Sequence, residues 1–217
     1  YVRLLRGLKP KVFVMENVSG LVKGKMKLIF ADIMRELKAS GYQVKCQLMN
    51  TMYFNVPQSR QRLIWIGIRD DLGRIPTFPK PQNKPIILKS ALQNIGEGLH
   101  YNKMFGKQIR IAKQLKQGQC ASDLEGGSWF GHYKLAWNSV PRTILKEAWH
   151  FYHPDRSEPF SVPELKRIFS YPDEFELIGL WRQQAGSIGN SVPPLFMKAI
   201  AEHIKNFGLF VNGMASG

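Results

Sequence analysis

An α/β fold is predicted for the first part of the chain, followed by a smaller, irregular second region. Three observations carry this. Residues 1–70 order themselves as strand, helix, strand, strand. A proline-dense stretch with Pro76, Pro79, Pro81 and Pro85 then interrupts the pattern. Beyond it, "GKQIRIAKQLKQGQCASDLEGGSWFGHYKLAW" is only weakly periodic and rich in Gly, Lys and Gln.

The elements follow in order. "YVRLLRGL" has the apolar spacing of a helix tail, and Pro10 breaks it. Val12 to Met15 is a continuous apolar run, expected as a buried parallel strand with Glu16 and Asn17 at its C-terminal end. Met26, Ile29, Phe30, Ile33 and Leu37 recur at helical spacing, with Gly41 as the stop. "YQVKCQLMN" and Leu63 to Ile68 are the next strands. Later, "SVPELKRIF" predicts a helix capped by Ser161, with Glu164 at the third helical position. "YPDEFEL" is a turn. "GNSVPPLFMKAIAEHIKNF" predicts a loop and then a helix starting at Pro193 or Pro194.

Apolar residues make up 44% of the 217, and aromatics 12%, which suits a packed core. No apolar run approaches the roughly 20 residues of a membrane span, and no cleavable leader is expected. Cys46 and Cys120 lie far apart and form no metal-ligand spacing. No metal site is expected, and a cytoplasmic, reducing setting fits.

The net charge of +15 is unevenly spread. Residues 1–75 carry 14 Lys+Arg against 5 Asp+Glu, residues 76–150 carry 11 against 4, and residues 151–217 carry 6 against 7. A polyanion should therefore meet the first two thirds, and nucleic acid is the usual one. The competing reading is a basic protein without such a partner.

Three motifs carry chemistry. In "MENV", an acid at the C-terminal end of a parallel strand sits where open α/β sheets bind ligands; the alternative is a cap or a lysine partner. In "VPQSRQR", Arg60 and Arg62 are two apart, so in a strand they share a face and form a convergent donor patch; the alternative is a solvated strand end. "GNSVPP" offers backbone N–H groups and a hydroxyl to a ligand, or is a turn and an N-cap.

Their order is more specific than any one of them. "ENV", "NVPQSRQR", "PELKRIFSYPDEF" and "GNSVPP", in that sequence, resemble the second half of the cytosine carbon-5 DNA methyltransferases. The resemblance covers the chain apart from about residues 85–138. It implies a doubly wound, Rossmann-like α/β catalytic domain with a smaller α+β target-recognition domain. On this chain the expected ranges are 1–79 for part of the catalytic domain, 80–180 for recognition, and 181–217 for a return segment. It also implies double-stranded DNA as partner and S-adenosylmethionine as cofactor, with the target cytosine flipped out of the duplex. Glu16 would contact nitrogen 3 and the exocyclic amine, and Asn17 would position loop backbone. Arg62 would bond the carbonyl oxygen, and Arg60 would hold the catalytic loop or a phosphate. Gln58 belongs to the same motif, on the DNA side. Asn190 and Ser191 would line the cofactor pocket.

The departures are informative. The family's glycine-rich cofactor loop and its Pro-Cys nucleophile loop are absent, and neither Cys46 nor Cys120 follows a proline. Glu158 stands where an arginine is frequent, and Asn55 where glycine is, a position Asn tolerates at positive φ. With its start inside a helix, the chain is expected to be a fragment or one polypeptide of a split enzyme. It would need a missing N-terminal half and be inactive alone. The alternative is a non-catalytic recognition module derived from the family; a basic RNA-binding protein lacks an aromatic signature here.

In the recognition segment, Lys103, Lys107, Arg110, Lys113 and Lys116 are either phosphate contacts or a solvated face. "GGSWFGHYKLAW" places Lys134 beside aromatics, where it could read base edges. Trp129, Tyr133 and Trp137 suit core roles as well. Arg142 and Thr143 of "PRTILKE" are candidates to face the DNA.

Overall fold

The computed structural model describes residues 1–81, 84–95, 106–125, 129 and 131–208. Lys103 and residues 126–128 lie outside the described residues. The chain divides into two compact units. The first comprises Tyr1–Asn50, Gln61–Pro81 and the described residues from Lys198; the second comprises Thr51–Arg60 and the described residues from 84 to Met197.

The first unit runs α1 (Val2–Leu8), β1 (Val12–Val18), α2 (Met26–Lys38), β2 (Tyr42–Asn50) and β3 (Gln61–Arg69). The strand order is β1-β3-β2, and β3 is antiparallel to both neighbours. This corrects the expected parallel β1. An unbroken apolar run reports burial on both faces, not strand direction. Glu16 and Asn17 also lie within β1 rather than beyond it, because pairing continues to Val18 opposite Arg62.

Central β3 is buried from Arg62 to Ile68. One of its faces turns Leu63 and Trp65 into a core with Leu5, Phe13, Leu21, Leu37, Tyr42 and Val44. α2 supplies that core through Leu37, with Phe30, Ile33 and Met34 against it, and the Trp65 indole donates to Met34 Sδ at 3.1 Å. Met26 and Ile29, expected on the same buried face, are 42% and 47% exposed. Gly67 is opposite Phe13 in the register, and a Cβ there would lie 2.0 Å from the Phe13 ring.

The second unit contains α3 (Leu88–Ala91), α4 (Lys107–Gln114), α5 (Ser122–Glu125), the two-residue parallel strands β4 (Tyr133–Lys134) and β5 (Phe151–Tyr152), α6 (Val162–Ile168) and α7 (Trp181–Asn190). α8 (Pro194–Lys205) begins in this unit. α6 starts as its sequence requires: Ser161 Oγ accepts from the Glu164 N–H, and Glu164 Oε2 accepts from the Ser161 N–H at 2.7 Å. The core joins Leu88, Leu135, Ile144, Phe160, Phe169 and Ile188. Trp137 and Tyr133 pack against it, while Trp129 packs on a second cluster around Ile111 and Tyr152.

The expected loop at "GNS" is corrected by α7, which includes Gly189 and Asn190. Gly186 and Gly189 read as breakers, yet both are buried helical positions. Gly189 is there because the chain crosses close to α7: a Cβ would lie 2.3 Å from the Leu145 carbonyl oxygen. Among the described residues no helix is long and apolar enough to cross a membrane.

Candidate active site

In the first unit, Glu16 and Arg62 form one ion pair. Glu16 is opposite Ile64 and Arg62 opposite Val18, so they are diagonal neighbours on one face of an antiparallel pair. Arg62 Nε lies 2.6 Å from Glu16 Oε1, and Arg62 Nη1 donates to the Gln61 carbonyl at 2.8 Å. The side chains differ in access: Arg62 is 10% exposed and Glu16 26%. Burial pulls the Arg62 pKa below its ordinary value, and the Glu16 carboxylate opposes that shift. Asn17 Oδ1 accepts from the Val18 N–H at 2.8 Å, tethering the chain as it leaves β1.

Arg60 belongs to the second unit and lies outside β3, so it does not form a same-face pair with Arg62. Its guanidinium donates to the carbonyls of Ile144 at 3.0 Å, Gly189 at 2.9 Å and Ser191 at 3.3 Å, and lies 5.5 Å from the Phe169 ring centroid. It is 3% exposed. The backbone around it is also clasped. The Ser59 N–H donates to the Pro141 carbonyl, Thr143 Oγ1 donates to the Ser59 carbonyl, and Thr51 Oγ1 donates to the Gln58 carbonyl. Asn55 holds φ of 58°, the left-handed conformation its type accommodates. Gln58 is fully buried, and its side-chain amide has no hydrogen-bond partner among the described residues.

At the end of α7, Asn190 is exposed, whereas Ser191 Oγ donates to the Ile188 carbonyl at 2.7 Å. That serine oxygen keeps acceptor capacity. The exposed Asn190 amide can donate and accept, and the Ser191 oxygen can accept.

Among the other candidates, Arg142 is exposed, with its guanidinium 4.6 Å from the Tyr133 ring centroid. Lys134 Nζ donates to the Ala112 carbonyl at 3.0 Å, and burial lowers its pKa against the pull of Asp155. Burial pushes the Cys46 thiol up to about 12, which leaves it a neutral, poor nucleophile. Two features had no sequence signal. Arg156 Nη2 reaches Glu164 Oε2 at 2.5 Å, adding a guanidinium to the α6 cap. His132 Nδ1 meets the Tyr152 hydroxyl at 2.7 Å, with the His150 ring stacked 4.0 Å away.

The sequence model of the C-5 cytosine-specific DNA methylases matches residues 1–206. This chain belongs to that family. The type II methyltransferase M.Sau96I of Staphylococcus aureus is 28% identical over 229 residues, a match spanning 95% of this chain and 53% of that protein. M1.HphI of Haemophilus parahaemolyticus is 30% identical, with 94% of this chain and 59% of that protein covered. The chain thus spans little more than half the length of these relatives. Among solved structures, an E. coli prophage protein described as a DNA modification methyltransferase superposes with a TM-score of 0.75 at 18% identity, covering 94% of this chain and 72% of that one. A DNMT2 of Spodoptera frugiperda gives 0.61 at 20%, covering 94% and 69%. The fold is accordingly α/β and Rossmann-like.

Proposed function

We propose that this chain supplies the base-holding and DNA-recognition part of a DNA cytosine-5 methyltransferase. The observation that carries the reading is the Glu16–Arg62 pair, a carboxylate and a guanidinium 2.6 Å apart at adjoining strand ends. A flipped cytosine offers both an edge: nitrogen 3 and the amine to Glu16, the carbonyl oxygen to Arg62. Addition of a nucleophile to carbon 6 builds negative charge on the ring. A proton taken up from solvent and held between Glu16 and nitrogen 3, with donors from Arg62, stabilises that charge where it develops. Asn17 positions the backbone beyond Glu16. S-adenosylmethionine, held in part by Asn190 and Ser191, supplies the methyl group when bound. Arg142, Gln58 and Lys134 act on the DNA side, Gln58 after release from its buried setting and Lys134 from its half-buried one.

The nucleophile comes from residues outside these 217, in the same polypeptide or a separate subunit, and the chain alone does not methylate. Apolar exposure in the first unit supports this. β1 is an edge strand among the described residues, and Leu4, Leu8, Val18 and Leu28 are 54–77% exposed. Such an edge and patch ask for a cover. The second reading, a non-catalytic DNA-binding module, draws on the same missing nucleophile. Mixing this chain with a separately expressed half that carries a Pro-Cys loop decides between them. Methyl transfer to DNA that disappears in Glu16→Gln supports the enzyme. DNA binding without any restored transfer supports the module.

A further inference from the structure

One groove in the second unit is touched by the functions assigned above only at its Asn190 border. It encloses about 430 Å³ beside α7, and its walls include Lys146, Trp149, Arg182, Gly186 and Ser187. Arg182, Gly186 and Asn190 recur every four residues, so the groove follows one face of the helix. The Lys146 stem passes beside Gly186 at ordinary packing distance: a Cβ there would lie 3.7 Å from Lys146 Cγ. The Arg182 guanidinium stands 5.3 Å from the centre of the Trp149 indole. Stacking orders the guanidinium without spending its N–H donors. No carboxylate lines the groove, Arg182 is the only charge on α7, and neither cation forms an ion pair among the described residues. Two exposed cations, one of them pre-ordered, and a hydroxyl make a site for an anion.

We propose that this groove seats one phosphodiester of the DNA backbone, held by Lys146 and Arg182, with Ser187 as a further donor. The inference rests on the DNA-methyltransferase reading and extends its DNA contacts to α7. The partner's charge agrees with the excess of Lys+Arg over Asp+Glu, 11 against 4, across residues 76–150. Asn190 borders the same groove, so an anionic group of the cofactor is the rival source of charge.

The test is equilibrium binding of duplex DNA by the full chain over a salt series, for wild type, Lys146→Ala, Arg182→Ala and the double variant. Lys89→Ala removes one exposed charge elsewhere in the unit and sets the effect of net charge alone. Each groove variant should weaken binding several-fold beyond Lys89→Ala. The double variant should lower the slope of log affinity against log salt by about 0.9, the value for one phosphate contact. The loss should be equal for unrelated DNA sequences. Groove variants indistinguishable from Lys89→Ala overturn the proposal, as does a stronger loss on RNA than on DNA. So does a raised KM for S-adenosylmethionine in the reconstituted enzyme with DNA affinity intact. A wild-type chain that binds no DNA would instead defeat the functional reading on which the proposal stands. Circular dichroism of each variant separates lost contacts from lost fold.

Discussion

Arg62 and Arg60 are two residues apart and share a side chain, but the first unit and the second use them differently. Arg62 faces a carboxylate that is itself 26% exposed, so a ligand can reach the pair. Arg60 is 3% exposed and donates to three backbone carbonyls that come from residues 144, 189 and 191. A partner on a reachable side chain can be exchanged for a substrate. Buried backbone carbonyls cannot give up their donor without exposing unmet acceptors. One arginine keeps a partner that a ligand can exchange, on what the proposed function makes the recognition side; the other is built into the backbone.

The largest expected effect comes from the recognition side. In the reconstituted enzyme, Arg62→Ala should lower kcat by about 10²–10³-fold, the loss usual for removing one positioned donor. Its denaturation midpoint should move much less than its rate. A variant that keeps near-normal kcat would remove Arg62 from the base-holding role. Arg60→Ala reverses the pattern. Losing charge-assisted bonds to two buried carbonyls and a half-buried third should cost about 3 kcal/mol or more, read from urea denaturation. Arg60→Lys should rescue little of it, because one ammonium cannot span the fork. Full recovery by lysine would show that charge alone, not geometry, holds the clasp.

Close packing gives the next test. Gly189→Ala drives a Cβ to 2.3 Å from a backbone oxygen, and Gly67→Ala drives one to 2.0 Å from the Phe13 ring. Both should destabilise by about 1–3 kcal/mol, as overpacking does. The ring can turn aside, whereas the backbone of Leu145 is held between the Arg60 clasp and α7. Gly189→Ala should therefore cost more, despite its slightly longer contact. A smaller cost at Gly189 would mean that the crossing segment is free to shift.

A further test is a pH dependence of the second unit. Burial, with Arg156 adding to it, holds His153 down to about 3; burial and His150 hold His132 down to about 4. An unfolded His titrates near ~6.5. Between that value and the folded ones, the unfolded chain binds more protons, so stability rises with pH. It is complete above roughly pH 6.5 and declines as the pH falls toward 4. Hydrogen exchange at pH 7 and pH 5 should show amides of the second unit losing protection before those of the first. Equal loss in both units would contradict this assignment of the acid-sensitive groups.

Much of the scaffold was readable from residues. β2 spans Tyr42–Asn50 as the alternation in "YQVKCQLMN" indicates, and the α6 capping box follows from Ser161 and Glu164. Strand direction was not readable, because the apolar run at Val12–Met15 is set by burial. α7 was hidden by Gly186 and Gly189, which signal a turn locally; Gly189 in fact serves a tight crossing in three dimensions. The Glu16–Arg62 partnership had residue types in its favour but no marker of register. Arg60 was the least legible, since its partners are carbonyls, which every residue has. No side-chain pattern announces which carbonyl 84 or 129 residues away will be met.

The Arg60 clasp also sets an order of events during synthesis. Its bond to the Ser191 carbonyl spans 131 residues. At about 5–20 residues per second, the ribosome needs on the order of ten seconds to deliver the last partner after Arg60 has emerged. Throughout that interval, residues 51–60 have no finished seat, and the strands on either side of them, β2 and β3, can already pair. The hairpin thus has time to form first and present its connecting segment as a waiting loop, which the later part of the chain closes over once α7 is complete.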